Sequence, residues 1–199
     1  MSSAKHESEP LPIAVFLSGS GRTLENLLRY RDQQGLAIDV RLVISSRSDV
    51  RGLQIANDAD IPTKIVRKSD FNDATYTDAM FNPVRECGAK YVVMAGFLKH
   101  VLIPDDYTKR VINIHPSLLP AFGGKGMYGL RVHAAAIERG CTISGCTVHF
   151  VDNHYDNGPI ILQRSCQISP EDRPETLAAR VFEQECIALP EAIEKLISG

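Results

Sequence analysis

Ile13-Ala14-Val15-Phe16-Leu17 carries no polar side chain and runs straight into Ser18-Gly19-Ser20-Gly21-Arg22-Thr23. A strand that is apolar at every position, rather than at alternate ones, has no face to offer water. It belongs inside a parallel sheet that is covered on both sides. Leu24, Leu27 and Leu28 follow at helical spacing, with Glu25 in the first turn. The unit is strand, glycine-rich turn, helix, and it predicts helices layered over a parallel sheet.

The alternation continues along the chain. Residues 40–44 and 63–66 read as strands with a short helix over 52–58 between them, and a helix over 75–86 precedes the apolar strand 91–95. Residues 111–114 start another strand, 132–139 read as helix, and 144–151 and 160–168 read as strands whose short connection makes them antiparallel. A last helix over 174–197 is expected to break or kink near Pro190. Strands alternating with helices predict an α/β fold. Its form is a doubly wound, mostly parallel sheet with an antiparallel C-terminal strand, in a single domain over 12–199. Residues 1–11 read as a polar, disordered lead-in without the apolar run of a signal peptide.

The turn at 18–23 has a chemical use. A glycine-rich strand-to-helix turn aims free N–H groups at an anion, and the helix dipole favours negative charge there. Leu24 stands where the dinucleotide motif needs a third glycine, and the second strand ends in Ser45-Ser46 rather than in an acidic residue. No G-K-[ST] occurs. A single phosphate monoester fits better than a dinucleotide or ATP. The alternative is a turn that binds nothing.

Val111-Ile112-Asn113-Ile114-His115 is halted by Pro116 and Pro120, which have no N–H for a ladder. Positions i and i+2 of a strand share a face, so Asn113 and His115 project together. An amide that can donate two hydrogen bonds beside an imidazole suits a reaction in which an oxygen gains charge and a proton moves. The same two residues could merely cap a strand end. Gly96 lets backbone approach a ligand. On doubly wound sheets ligands sit beyond the carboxyl ends of the strands, so the loops at 18–23, 96–101 and 113–120 should meet in one cleft. The segment 121–129, with Gly123, Gly124, Gly126 and Gly129, reads as a flexible lid. Asp156 lies in a turn-rich loop before Gly158-Pro159, where an acidic turn residue needs no function.

Composition removes other classes. The net charge is −2 with no basic run, so nucleic acid is not an expected partner. No apolar run is long enough to span a membrane. Five cysteines without a C-x-x-C argue against a disulfide framework or a zinc site and for reduced thiols in the cytoplasm. His149 and His154 lack the partners of a metal site; His149 belongs either to the cleft or to the core.

The motifs Ser18-Gly19-Ser20-Gly21, Ala95-Gly96-Phe97, Asn113-Ile114-His115-Pro116-Ser117-Leu118-Leu119-Pro120 and Asp156-Asn157-Gly158-Pro159-Ile160 together resemble the phosphoribosylglycinamide formyltransferase family. The resemblance covers about residues 12–197. It implies a Rossmann-like formyltransferase fold and transfer of the formyl group of 10-formyltetrahydrofolate to the amine of glycinamide ribonucleotide in purine synthesis, with no metal. By it, Asn113, His115 and Asp156 match the catalytic triad. Asn113 would donate to the oxyanion of a tetrahedral intermediate. His115, with the Asp156 carboxylate behind it, would add charge stabilisation and pass a proton. Asp156 would also position the water that relays it. Gly21, Arg22 and Thr23 match the ribonucleotide phosphate loop, and Glu185 a residue at the glycinamide end. Leu98, Lys99, His100, Val101, Asn113 and Asp152 match the folate site. Lys125 to Gly129 and His133 resemble the mobile substrate loop, and the Leu119–Pro120 bond is expected to be cis.

The chain also departs from the family pattern. Ser20 and Thr23 stand where Asn is frequent, Arg22 is bulkier than the usual Ser, and Gly123 replaces a common Pro. An Arg usual before the third helix has no match near Asn72-Asp73. Two other readings are a 10-formyltetrahydrofolate hydrolase and a catalytically silent nucleotide-binding relative. Hydrolases carry an extra N-terminal domain and a second His where Pro116 stands. Methionyl-tRNA formyltransferase shares the Asn–His–Asp core but needs a tRNA-binding domain. Monomer and homodimer both fit.

Overall fold

The computed structural model describes residues 9–198. The chain forms β1 (Leu11–Leu17), α1 (Arg22–Gln34), β2 (Ile38–Ser45), α2 (Arg51–Asp58), β3 (Thr63–Ile65), α3 (Asp73–Glu86), β4 (Tyr91–Met94), β5 (Val111–His115), α4 (Leu130–Glu138), β6 (Ile143–Phe150), β7 (Ile160–Gln167) and α5 (Pro174–Ser198). The seven strands make one sheet in the order β3-β2-β1-β4-β5-β6-β7. Pairings from β3 to β5 are parallel, and β6 runs against both β5 and β7. The fold is thus α/β, doubly wound and mostly parallel. Most of the expected lead-in, residues 1–8, lies outside the described residues, and Leu11 already belongs to β1.

β1 is apolar throughout because both its faces are covered. Ile13, Val15 and Leu17 pack into one core with α1 and α5; Ala14 and Phe16 enter the other with Tyr76, Met80, Phe81 and Val84 of α3. β2 obeys the same logic with one irregularity. Ile13 pairs with Val40 but Ala14 with Leu42, so Arg41 is an extra residue, a bulge. The bulge lets exposed Asp39 and Arg41 alternate with buried residues at the start of the strand, while the end, Leu42 to Ser45, is buried without a break.

The break expected at Pro190 does not occur: α5 is one helix of 25 residues through it. Proline forfeits one helical bond, but Leu177, Val181, Ala188, Leu189, Ala192 and Ile193 are all buried against the sheet. Tertiary packing of that face outweighs the local penalty.

After β3 the chain returns through α3 to place β4 on the other side of β1. The direction of strand order reverses there, and α/β sheets open a crevice at such a point.

Candidate active site

The crevice is a cleft of about 500 Å³ beyond the carboxyl ends of β1, β4 and β5. Its first wall is the turn after β1. Gly21 caps α1 at φ +73° and supplies no side-chain cap. A Cβ there would lie 2.5 Å from Cα of Gly52, so the turn admits only glycine. The first helical bond runs from Glu25 N–H to Gly21 O. The N–H groups of Arg22, Thr23 and Leu24 precede it and have no partner within the helix. The Arg22 guanidinium rests 4.1 Å over the Phe182 ring of α5. One turn on, Glu185 reaches the cleft, and burial pushes its carboxyl up to about 7, with the Arg22 charge opposing part of the rise.

The second wall is the segment after β4. Ser18 ties it to the first: its N–H donates to Gly96 O at 3.2 Å and its Oγ accepts Leu98 N–H at 3.0 Å. Leu98, Lys99, His100 and Val101 line the cleft from here. The His100 ring packs 5.0 Å from that of Tyr155, and Ile103 N–H donates to Asn153 Oδ1 at 2.8 Å. These contacts join the second wall to the 152–159 loop, where Asp152 also lines the cleft.

Asn113, His115 and Asp156 meet at the floor. Asn113 stands opposite His149 across the β5–β6 ladder. His149 Nδ1 lies 2.8 Å from the Phe150 carbonyl, which can only accept, so the ring proton is on Nδ1. Nε2 is then a lone pair and accepts from Asn113 Nδ2 at 3.2 Å. Burial, the largest effect on this ring, holds its pKa below the ordinary imidazole range and keeps it neutral. One N–H of the Asn113 amide is thereby anchored and the other left for the cleft.

His115 is held from both ends. Its Nε2–H donates to Phe122 O at 2.8 Å, and its Nδ1 stands 3.6 Å from Asp156 Oδ2, an ion-pair separation rather than a hydrogen bond. Gly124 N–H donates to the same Oδ2 at 2.8 Å. Below, Thr147 Oγ1 donates to Ser117 O and accepts Leu119 N–H, and Gln163 Nε2 donates to Leu119 O. This network fixes the segment after β5, in which the Leu119–Pro120 peptide is cis.

The twelve residues matched to catalytic, ribonucleotide and folate roles therefore border one cleft: Asn113, His115 and Asp156; Gly21, Arg22, Thr23 and Glu185; Leu98, Lys99, His100, Val101 and Asp152; of the expected substrate loop, Gly126 to Gly129 and His133 also line it and Lys125 does not. Two contributors are invisible in the sequence, and for a third, His149, the sequence leaves cleft and core open. Phe122 O and Gly124 N–H are backbone groups and leave no mark in a side-chain pattern. The role of His149 needed the β5–β6 register, which residue types alone do not give.

The formyl transferase family model matches residues 11–193, nearly the whole described chain. The chain belongs to the formyl transferase family. Within it, the chain is similar to the phosphoribosylglycinamide formyltransferase of Arabidopsis thaliana chloroplasts, 37% identical over 188 residues that cover 92% of this chain. The chain spans 64% of that relative's length. The crystal structure of glycinamide ribonucleotide transformylase 1 from Symbiobacterium toebii superposes with a TM-score of 0.91 at 32% identity, covering 100% of this chain and 92% of that one. A formyltetrahydrofolate deformylase from Pseudomonas syringae also shares the fold, at 25% identity and a TM-score of 0.84, and the chain covers 62% of it. No helix among the described residues is long and apolar enough to cross a membrane. The described residues contain no cluster of three His, Cys, Asp or Glu side chains able to hold a metal ion.

Proposed function

We propose that this formyl transferase family member moves the formyl group of 10-formyltetrahydrofolate to the amine of glycinamide ribonucleotide in purine biosynthesis. One observation carries the reading: an open helix N-terminus with Arg22 beside it and the Asn113–His115–Asp156 cluster face the same cleft. A phosphate sits on the N–H groups of Arg22 and Thr23. The attached amine extends toward Glu185 and the floor. The formyltetrahydrofolate lies along Leu98 to Val101 and Asp152 with its formyl group at Asn113.

The amine nitrogen attacks the formyl carbon, and the carbonyl oxygen takes the electron pair. The free N–H of Asn113 stabilises that oxygen, a contribution of about 2.7–4 kcal/mol to the barrier. Because His115 Nε2–H is held by Phe122 O, the proton that can move is at Nδ1, next to Asp156. The carbon–nitrogen bond to folate then breaks, and the nitrogen of tetrahydrofolate leaves with a proton taken from the amine. All of these groups come from one chain, so neither a monomer nor a homodimer is required by the chemistry. The described cysteines are all free, in keeping with a reducing compartment, which we take to be the cytoplasm.

The test is release of tetrahydrofolate with and without glycinamide ribonucleotide. Release only with the ribonucleotide supports the transferase, and Asn113→Ala and Asp156→Asn should then nearly abolish it. Release without it supports hydrolysis of the formyl folate. No release in either case would leave a silent binding relative.

A further inference from the structure

His133 of α4 lines the cleft and is 4% exposed, yet none of the steps above uses it. Its Nδ1 is sealed from solvent and meets no hydrogen-bond partner among the described residues. The other two buried histidines of the cleft differ: His115 gives Nε2–H to Phe122 O, and His149 gives Nδ1–H to Phe150 O. A histidine kept for structure satisfies its ring nitrogens; the sealed nitrogen of His133 is left unpaired. Of its two nitrogens only Nδ1 is sealed, so the atom able to meet the cleft is Nε2.

The proton can be placed. Burial first, and the neighbouring His115 second, press the His133 pKa down, so the ring is neutral. A neutral ring has one N–H and one lone pair. Burying an unpaired N–H is the rarer and costlier choice, whereas an under-used acceptor is tolerated more often. The lone pair therefore belongs on Nδ1 and the proton on Nε2.

We propose that His133 Nε2–H is a hydrogen-bond donor to an oxygen of the bound reactants, either the formyl oxygen or the amide oxygen of the glycinamide arm. The acceptor rests on the substrates proposed above; the donor does not.

His133→Leu removes the donor at similar volume, and His133→Gln returns an N–H close to the position of Nε2. With His133→Leu, kcat/KM should fall about tenfold, the loss expected for one neutral hydrogen bond. Its melting temperature should hold or rise, because a buried unpaired nitrogen is replaced by apolar atoms. His133→Gln should recover to within about threefold of wild type. A fall in kcat with both KM values unchanged assigns the formyl oxygen; a rise in KM for the ribonucleotide assigns the amide. Wild-type kinetics in His133→Leu would overturn the proposal. So would equal losses in both variants accompanied by lower melting temperatures, the mark of a structural role. Nitrogen-15 NMR of the free protein reads the ring without turnover: a proton on Nε2 is expected, and a proton on Nδ1 overturns the donor. A wild type without formyl transfer would instead sink the substrate assignment, and the tautomer would still decide the donor.

Discussion

Removing the anchor of Asn113 should slow catalysis far less than removing Asn113 itself. His149→Leu is the perturbation. The buried ring is replaced by a side chain of comparable size, and the acceptor 3.2 Å from Asn113 Nδ2 disappears. The amide is then free to turn, but it keeps both N–H groups. The rate can fall only by what the anchor contributed to holding the productive orientation. A net hydrogen bond of about 0.5–1.5 kcal/mol corresponds to roughly a two- to tenfold loss in kcat. Asn113→Ala deletes the donor, at about 2.7–4 kcal/mol or a 10²–10³-fold loss. Single-turnover formyl transfer under saturating substrates measures both. His149→Leu also strands the Phe150 carbonyl, so the melting temperature should drop by an amount matching about 1–3 kcal/mol. Equal losses in the two variants would refute the orienting role and make His149 a direct participant. Full activity in His149→Leu would show that the amide needs no anchor.

Three other perturbations have signed outcomes. Arg22→Leu should raise KM for the ribonucleotide about tenfold or more, the scale of a charge-assisted hydrogen bond, and flatten the salt dependence of that KM; an unchanged salt slope would remove Arg22 from the phosphate site. Gly21→Ala should both destabilise the fold and weaken ribonucleotide binding, since its Cβ meets backbone at 2.5 Å in a left-handed conformation; calorimetry that finds either one unaffected would sink this. The folded pKa of Glu185 is raised to about 7 from 4.5, so the folded state holds the extra proton and stability is lost as pH rises from 4.5 through about 7. The pKa values of His133 and His149 are lowered, so their contribution runs the other way and stability is lost as pH falls below 6.5. Over pH 4.5 to 7 the two trends oppose one another, so the melting temperature of Glu185→Gln should rise more steeply with pH across that window than that of the wild type.

The parallel sheet could be read from the sequence because burial on both faces forces uninterrupted apolar runs, and Ile13 to Leu17 has no other explanation. The place where that reading thinned was β2. The bulge at Arg41 shifts register by one residue, and neither Asp39 nor Arg41 reveals it by type. Pro190 misled for a related reason. Its local cost is legible, while the apolar face that overrides it is spread over six residues and counts only when the sheet is present. The three polar residues of the floor were legible as types, and Asn113 with His115 also as a pair, because strand periodicity puts them on one face. The way they are held was not, since it depends on a cross-strand partner and on two backbone groups of a glycine-rich loop.

That loop and the 152–159 loop together explain an apparent waste in the backbone. Phe122 and Asp156 both sit at positive φ, 54° and 51°, where residues with side chains rarely go. Each costs about 1–3 kcal/mol, and glycine would remove that cost at either place. Glycine would also remove what the positions supply. Asp156 must present a carboxylate, and Phe122 packs its half-buried ring against the core formed by β1, α1 and α5. These two strained residues are the ones whose oxygens meet the two nitrogens of His115, at 2.8 Å and 3.6 Å. At these two positions the strain aims a carbonyl at one nitrogen and a carboxylate at the other, and Gly124 N–H locks the carboxylate in place. His115 is thus oriented by the 121–129 and 152–159 loops, which Gly124 N–H ties together, rather than by its own strand. A change in the 121–129 segment reaches His115 Nδ1 through Asp156 without touching either Asn113 or the phosphate loop.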